Sequence, residues 1–132
     1  MREVLDTRFL IECFVPGEPS LVERASERIR NLRRAGSGII PTIALAEFFY
    51  QVCRRAGRKR AEQCAESLIS SGLSLFPLTP RTATLAGSLR CELRDVPMAD
   101  CIIAATALQV RGKVISDDPH FKRFKKVKVD WI

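Results

Sequence analysis

Residues 98–121 read MADCIIAATALQVRGKVISDDPHF, and the fold turns on how this stretch divides. From Ala99 to Val110 it is apolar on nearly every side, so a helix here has no solvent-facing stripe and belongs at the centre of the molecule. After Gly112 the short run Lys113–Ser116 carries Val114 and Ile115, the composition of a strand buried on both faces. Asp117 and Asp118 follow it directly. A buried helix that hands the chain to a buried strand is a crossover connection, and crossovers join parallel strands.

The same alternation extends outward in both directions. Glu3–Leu5 reads as a short strand ending at Asp6, and Ile39–Ile40 as a second. Between them Ser20 and Glu23 form a capping box. It opens a helix with Leu21, Val22, Ala25, Ile29 and Leu32 on one face, stopped by Gly36 and Gly38. Thr42 is placed to cap a helix running to about Arg55, and residues 58–71 give an amphipathic helix with Ala61, Cys64, Ala65, Leu68 and Ile69 in line, ended by Gly72. Leu73–Phe76 makes a third strand. Thr79-Pro80 pairs an N-cap with a proline at the first helical position, ahead of Thr82, Leu85, Ala86, Leu89 and Leu93, and Val127–Trp131 closes the strands. Strands alternating with helices predict a single domain over 1–132, a three-layer α/β/α sandwich around a mainly parallel sheet.

Composition narrows the function. The 132 residues carry 22 Lys and Arg against 15 Asp and Glu, a net +7 that favours polyanionic partners, nucleic acid first. No run approaches the roughly 18 apolar residues of a membrane span. Glu3 and Asp6 interrupt the N-terminal apolar stretch, which argues against a secretory signal. A cytoplasmic location is expected. Five cysteines (13, 53, 64, 91, 101) without a C-x-x-C pair, and one histidine, His120, speak against a zinc site or a disulfide framework. A lone histidine with no evident partner also disfavours Cys–His and Ser–His–Asp catalysis.

The carboxylates are more telling. In parallel α/β sheets ligands bind beyond the carboxyl ends of the strands, and there Asp6, Asp117 and Asp118 fall. Glu47 sits in the first turns of the helix after the second strand, and Asp100 at the start of the buried helix. Each has an ordinary alternative: a turn at Asp6, a solvated face shared by Glu47 with Gln51 and Arg54, and helix caps at Asp100 and Asp118. Together they would repel by roughly 1–4 kcal/mol per pair, so such a cluster calls for a cation or protons. An all-oxygen set suits Mg²⁺ or Mn²⁺ over zinc. A divalent ion so held can bind a phosphate oxygen, activate water and stabilise a leaving oxygen. In a basic chain this suggests phosphodiester hydrolysis.

At these residues the chain resembles the PIN domain family, and within it the VapC-type toxin ribonucleases of toxin–antitoxin pairs. The resemblance rests on LDT at 5–7, IPTIALAEFFYQV at 40–52, MADCIIAATAL at 98–108, VISDDPHF at 114–121 and the closing Trp131. It implies a Mg²⁺- or Mn²⁺-dependent endoribonuclease acting on single-stranded or looped RNA. Its catalytic and metal-holding acids would be Asp6, Glu47, Asp100 and Asp118. It also implies a VapB-type antitoxin partner and a homodimer. On the same basis Ser116 is the hydroxyl near the last acid, and Thr7 the hydroxyl that orients Asp6. Arg8 departs from the family's usual Asn or Ser, and is placed to touch RNA or face solvent. The double Asp117-Asp118 leaves the fourth acid ambiguous; the family's spacing to Phe121 selects Asp118 and leaves Asp117 an outer participant.

Two basic clusters are candidate RNA contacts: Arg54, Arg55, Arg58, Lys59 and Arg60 at a helix junction, and Lys122, Arg123, Lys125, Lys126 and Lys128 near the end of the chain. The first also suits an acidic antitoxin segment. Phe48, Phe49 and Tyr50 are consecutive on a helix and expected to be mostly buried, so no base-stacking platform is evident. The alternatives are a PIN nuclease of RNA processing or decay without an antitoxin, and a catalytically silent RNA-binding module. A phosphoacceptor receiver is disfavoured because Lys113 precedes its strand, at the wrong end of the sheet.

Overall fold

Five short parallel strands make one sheet in the computed structural model, which describes residues 1–15 and 17–132. They are β1 (Glu3–Leu5), β2 (Gly38–Pro41), β3 (Ser74–Phe76), β4 (Lys113–Ile115) and β5 (Lys128–Asp130), in the spatial order β3-β2-β1-β4-β5. The helices are α1 (Thr7–Phe14), α2 (Pro19–Ala35), α3 (Thr42–Ala56), α4 (Arg58–Ile69), α5 (Pro80–Glu92) and α6 (Met98–Val110), with a 3-10 turn over Pro119–Arg123. This is the expected α/β/α sandwich. None of the helices is long and apolar enough to cross a membrane.

The strands are short, and the three central ones, β1, β2 and β4, are covered, while the edge strands β3 and β5 are largely exposed. Val4, Leu5, Ile40, Val114 and Ile115 are inaccessible to solvent, as parallel strands sandwiched between helices must be. Helix α6 is buried from Asp100 through Ala107, which explains its lack of a polar stripe. Its alanines at 104, 105 and 107 keep it slim enough to lie against the sheet. Arg28 of α2 fastens the opposite end of the sheet. Its guanidinium donates to Glu3 at 2.7 Å, to Asp130 at 2.9 Å and to the carbonyl of Trp131 at 3.2 Å.

Several local expectations change. Helix α1, unassigned from sequence, begins immediately after Asp6, which occupies its N-cap position. The capping box at Ser20 and Glu23 does not form: α2 starts two residues earlier, with Glu18 at the N-cap, because Pro19 is preset for the first helical position. The Ser20 hydroxyl turns back to the Glu18 carboxylate instead. Gly36, with φ 64°, ends α2 in the left-handed conformation, whereas Gly38 opens β2. Thr42 is the first residue of α3 rather than its cap. The Thr79 cap does form, accepting from the Thr82 amide at 3.2 Å.

The junction of β1 and β4 is tight. A methyl group on Gly112 would stand 2.5 Å from the Arg2 carbonyl oxygen, which accepts the Lys113 amide at 3.0 Å. Gly112→Ala is therefore expected to cost about 1–3 kcal/mol, the usual range for overpacking. The measurement is the urea midpoint at constant m-value; a midpoint equal to wild type would show that the strands separate without penalty.

Candidate active site

The sheet reverses direction at its centre. From β1 the chain steps outward to β2 and β3, then returns to lay down β4 and β5 on the other side. The crevice at the carboxyl ends of β1 and β4 is thus the topological switch point, where sheets of this kind bind ligands. Every carboxylate singled out above lies around it.

Asp6 leaves β1 into the crevice and is only 3% exposed. Ser116, the residue after β4, donates its hydroxyl to Asp6 Oδ2 at 2.6 Å and accepts the Asp118 amide at 3.0 Å. One hydroxyl therefore ties the ends of two neighbouring strands. Burial pushes the Asp6 carboxyl up to about 6; the Ser116 and Thr7 hydrogen bonds oppose that rise, and the charges of Asp100 and Glu47 add to it.

Asp100 lies in the first turn of α6, where the helix dipole favours a carboxylate. Asp118 caps the 3-10 turn by accepting the His120 amide at 2.9 Å. That turn brings the His120 ring back over the acids, with Nδ1 2.9 Å from Asp100 Oδ2 and 3.2 Å from Asp118 Oδ1. One ligand atom from each of Asp100, Asp118 and His120 lies within 4.8 Å of the other two. The Asp100 carboxyl is raised chiefly by burial, which the His120 hydrogen bond opposes and the charges of Asp118 and Glu47 reinforce.

Glu47 enters from α3. Its Oε1 accepts the Thr7 hydroxyl at 2.8 Å, so the hydroxyl that the resemblance assigns to Asp6 orients Glu47 instead, while Thr7 reaches the Asp6 carboxylate through its backbone amide. The reason is local: Thr7 is the first residue of α1, and its side chain faces the neighbouring helix rather than the preceding strand end. Arg8 and Asp117 leave the centre together. Both are exposed, and the guanidinium grips both carboxylate oxygens. This holds the Asp117 carboxyl below its ordinary range. Asp118, whose side chain faces His120, joins the cluster; Asp117 stands outside it.

Sequence reasoning missed His120 as part of the site. The available signal was the Asp-Pro-His spacing: an aspartate followed by proline starts a tight turn, and the second residue of that turn folds back on the cap.

Asp100 and Asp118 thus meet at His120, and Asp6 and Glu47 lie near enough that their charges and that of Asp100 act on one another. Among the described residues no arginine or lysine pairs with any of the four. Four acids whose one ion-pairing partner among the described residues is the imidazole of His120, with the Arg8 guanidinium near Asp6 and Asp118 but paired to Asp117, make a donor set that fits a divalent cation. Arg54, Arg55, Arg58, Lys59 and Arg60 are all exposed around the α3–α4 junction, and Lys122, Arg123, Lys125, Lys126 and Lys128 are exposed near the end of the chain. Arg123 is paired with Asp95 at 2.7 Å.

The model of the PIN domain family matches residues 4–127. The chain belongs to the PIN domain family. This PIN domain is similar in fold to VapBC2 from Rickettsia felis, solved bound to a DNA fragment from their promoter: TM-score 0.81 and 18% identity over 99% of this chain and 98% of that one. DNA-bound VapBC from Salmonella typhimurium gives 0.79 and 22% over 99% and 98%. VapC20 from Mycobacterium tuberculosis, a Sarcin-Ricin loop cleaving toxin, gives 0.65 and 16% over 84% and 85%. At these identities the likeness is one of fold. No curated protein sequence matches the PIN domain described here.

Proposed function

We propose that this PIN domain is a divalent-metal-dependent endoribonuclease and the toxin of a VapBC-type pair, cytoplasmic and working as a homodimer. One observation supports the chemistry: in a strongly basic chain, Asp100 and Asp118 share the His120 imidazole, Asp6 and Glu47 lie close enough to act on them electrostatically, and among the described residues no arginine or lysine forms a salt bridge with any of the four. The fold likeness to VapBC proteins supports the partner, a VapB-type antitoxin, and the loop-cleaving VapC20 supports RNA as substrate.

In this reading Asp6, Asp100 and Asp118, with Glu47 behind them, hold Mg²⁺ or Mn²⁺. The bound ion supplies Lewis acidity at the phosphate and makes water a stronger nucleophile near neutral pH. The protein prepares the place. Ser116 fixes the rotamer of Asp6, Thr7 fixes Glu47, and the His120 amide and ring fix Asp118 and Asp100. Such orienting partners commonly contribute about 10- to 100-fold in metal affinity or activity. Exposed arginines and lysines on both sides of the crevice hold the RNA backbone through contacts that weaken with salt.

The test is cleavage of a panel of single-stranded and looped RNAs in Mg²⁺ or Mn²⁺. Asp118→Asn is expected to lose at least about 100-fold, since a ligand should matter no less than the partners that orient one. Asp117→Asn is expected to stay within a few-fold of wild type, because its carboxylate serves an exposed ion pair worth under about 1 kcal/mol. Wild-type protein that cleaves none of the RNAs with either ion overturns the proposal, and equal losses in the two variants overturn the assignment of Asp118.

A further inference from the structure

Tyr50 is 61% exposed, although Phe48 beside it is wholly buried. A single exposed aromatic needs no explanation by itself. Its neighbours give it one. On α3 the positions Glu47, Tyr50, Gln51 and Arg54 follow at i, i+3, i+4 and i+7, so they share one face of the helix. Glu47 is the end of that strip inside the carboxylate cluster, where Thr7 holds it. Tyr50 stands about 4.5 Å further along the helix axis and Arg54 about 10 Å. The Arg54 guanidinium lies over the Tyr50 ring, 5.8 Å from its centroid. Glu47, Tyr50, Gln51, Arg54 and Arg55 line a cavity of about 550 Å³, within the range of sites that take small organic groups.

We propose that Tyr50 and Arg54 form a stacking surface for a nucleobase of the RNA next to the scissile phosphate, with Gln51 at the base edge and Arg55 on the backbone. The inference rests on the nuclease reading and names a subsite of that same crevice. Aromatic and guanidinium planes accept any base, because every base has a π face. Gln51, also lining the cavity, adds both a donor and an acceptor, the means to prefer one base edge over another. The strip runs outward from an acid of the reaction centre, so whatever lies on it is continuous with the group being cut. That favours the substrate over a protein as occupant. The sequence groups Tyr50 with Phe48 and Phe49 as mostly buried; in the fold it is exposed and lines a cavity with Glu47, three residues before it on the same helix face.

The test uses full-length protein and a single-stranded RNA that it cleaves, with 2-aminopurine placed in turn at each nucleotide flanking the cut. Binding is followed by fluorescence in EDTA, and cleavage by KM, kcat and mapped cut positions with the ion present. Tyr50→Ala is expected to weaken binding roughly 5- to 100-fold, the range of a lost base–aromatic stack. KM should rise more than kcat falls, and quenching should disappear at one flanking nucleotide. Tyr50→Phe restores all three, and Arg54→Ala gives a partial loss. If wild type cleaves and Tyr50→Ala keeps its KM, quenching and cut positions, the stacking surface is overturned and the strip is left for a protein partner. Wild type that neither binds nor cleaves RNA overturns the nuclease reading itself.

Discussion

Asp6→Asn is expected to make the metal-free protein more stable and the enzyme inactive. The Asp6 carboxyl titrates at about 6 in the fold against an ordinary 3.8, chiefly because burial penalises its charge. Between those two values the unfolded chain has released the proton and the folded chain still holds it. Stability from this group therefore falls as pH rises from about 4 to about 6, and the full penalty persists above that. At about 1.4 kcal/mol per pH unit, the interval corresponds to roughly 3 kcal/mol at neutral pH. Asparagine carries no charge to bury, and its oxygen can still accept the Ser116 hydroxyl, so most of that penalty disappears. In EDTA at pH 8 the variant should melt roughly 5–10 °C higher than wild type, with the difference vanishing near pH 4. RNA cleavage with added ion should drop at least about 100-fold. Equal melting temperatures at pH 8 would show that Asp6 is not held as a strained, buried anion; retained cleavage would remove it from the reaction.

Such strain is what made part of the site legible in the sequence. Acids at the ends of Glu3–Leu5 and Lys113–Ser116 are conspicuous because short apolar strands leave few other places for charge, and a parallel sheet brings strand ends together whatever the loops do. The nearly all-apolar run from Ala99 to Val110 likewise announced a central helix, and α6 is buried from Asp100 to Ala107. What sequence could not supply were side-chain directions at turns and helix starts. The family resemblance assigns the Thr7 hydroxyl to Asp6, but the first turn of α1 swings it toward Glu47, forty residues away. His120 had no visible partner until the turn at Pro119 folded it back on Asp100 and Asp118. The Ser20–Glu23 pattern satisfied the capping rule, yet Pro19 was the stronger start signal. At Thr7 and His120 the deciding contact, to Glu47 and Asp100, is distant in the chain; at Ser20 one local signal outcompeted another.

Divalent ions are expected to have the second large effect, on stability as well as on cleavage. Without an ion, Asp100 and Asp118 both approach Nδ1 of His120, and burial together with the Asp118 charge keeps the Asp100 carboxyl raised. An ion that binds only the folded state relieves both, and at 100 times its dissociation constant it adds about 2.7 kcal/mol to folding. The melting temperature should thus climb and saturate with Mn²⁺ or Mg²⁺, and EDTA should abolish RNA cleavage. Because an imidazole nitrogen lies within 4.8 Å of both carboxylates, Mn²⁺ should bind more tightly than Mg²⁺, which holds to oxygen and water. Calorimetric titration of His120→Ala should narrow that gap by weakening Mn²⁺ more than Mg²⁺. Asp100→Asn combined with Asp118→Asn should remove the binding of both ions, with the fold retained. A melting temperature indifferent to millimolar Mn²⁺ and Mg²⁺ would mean that the acids are balanced by protons alone, and a carboxylate cluster kept neutral by protons has no ion with which to cut a phosphodiester.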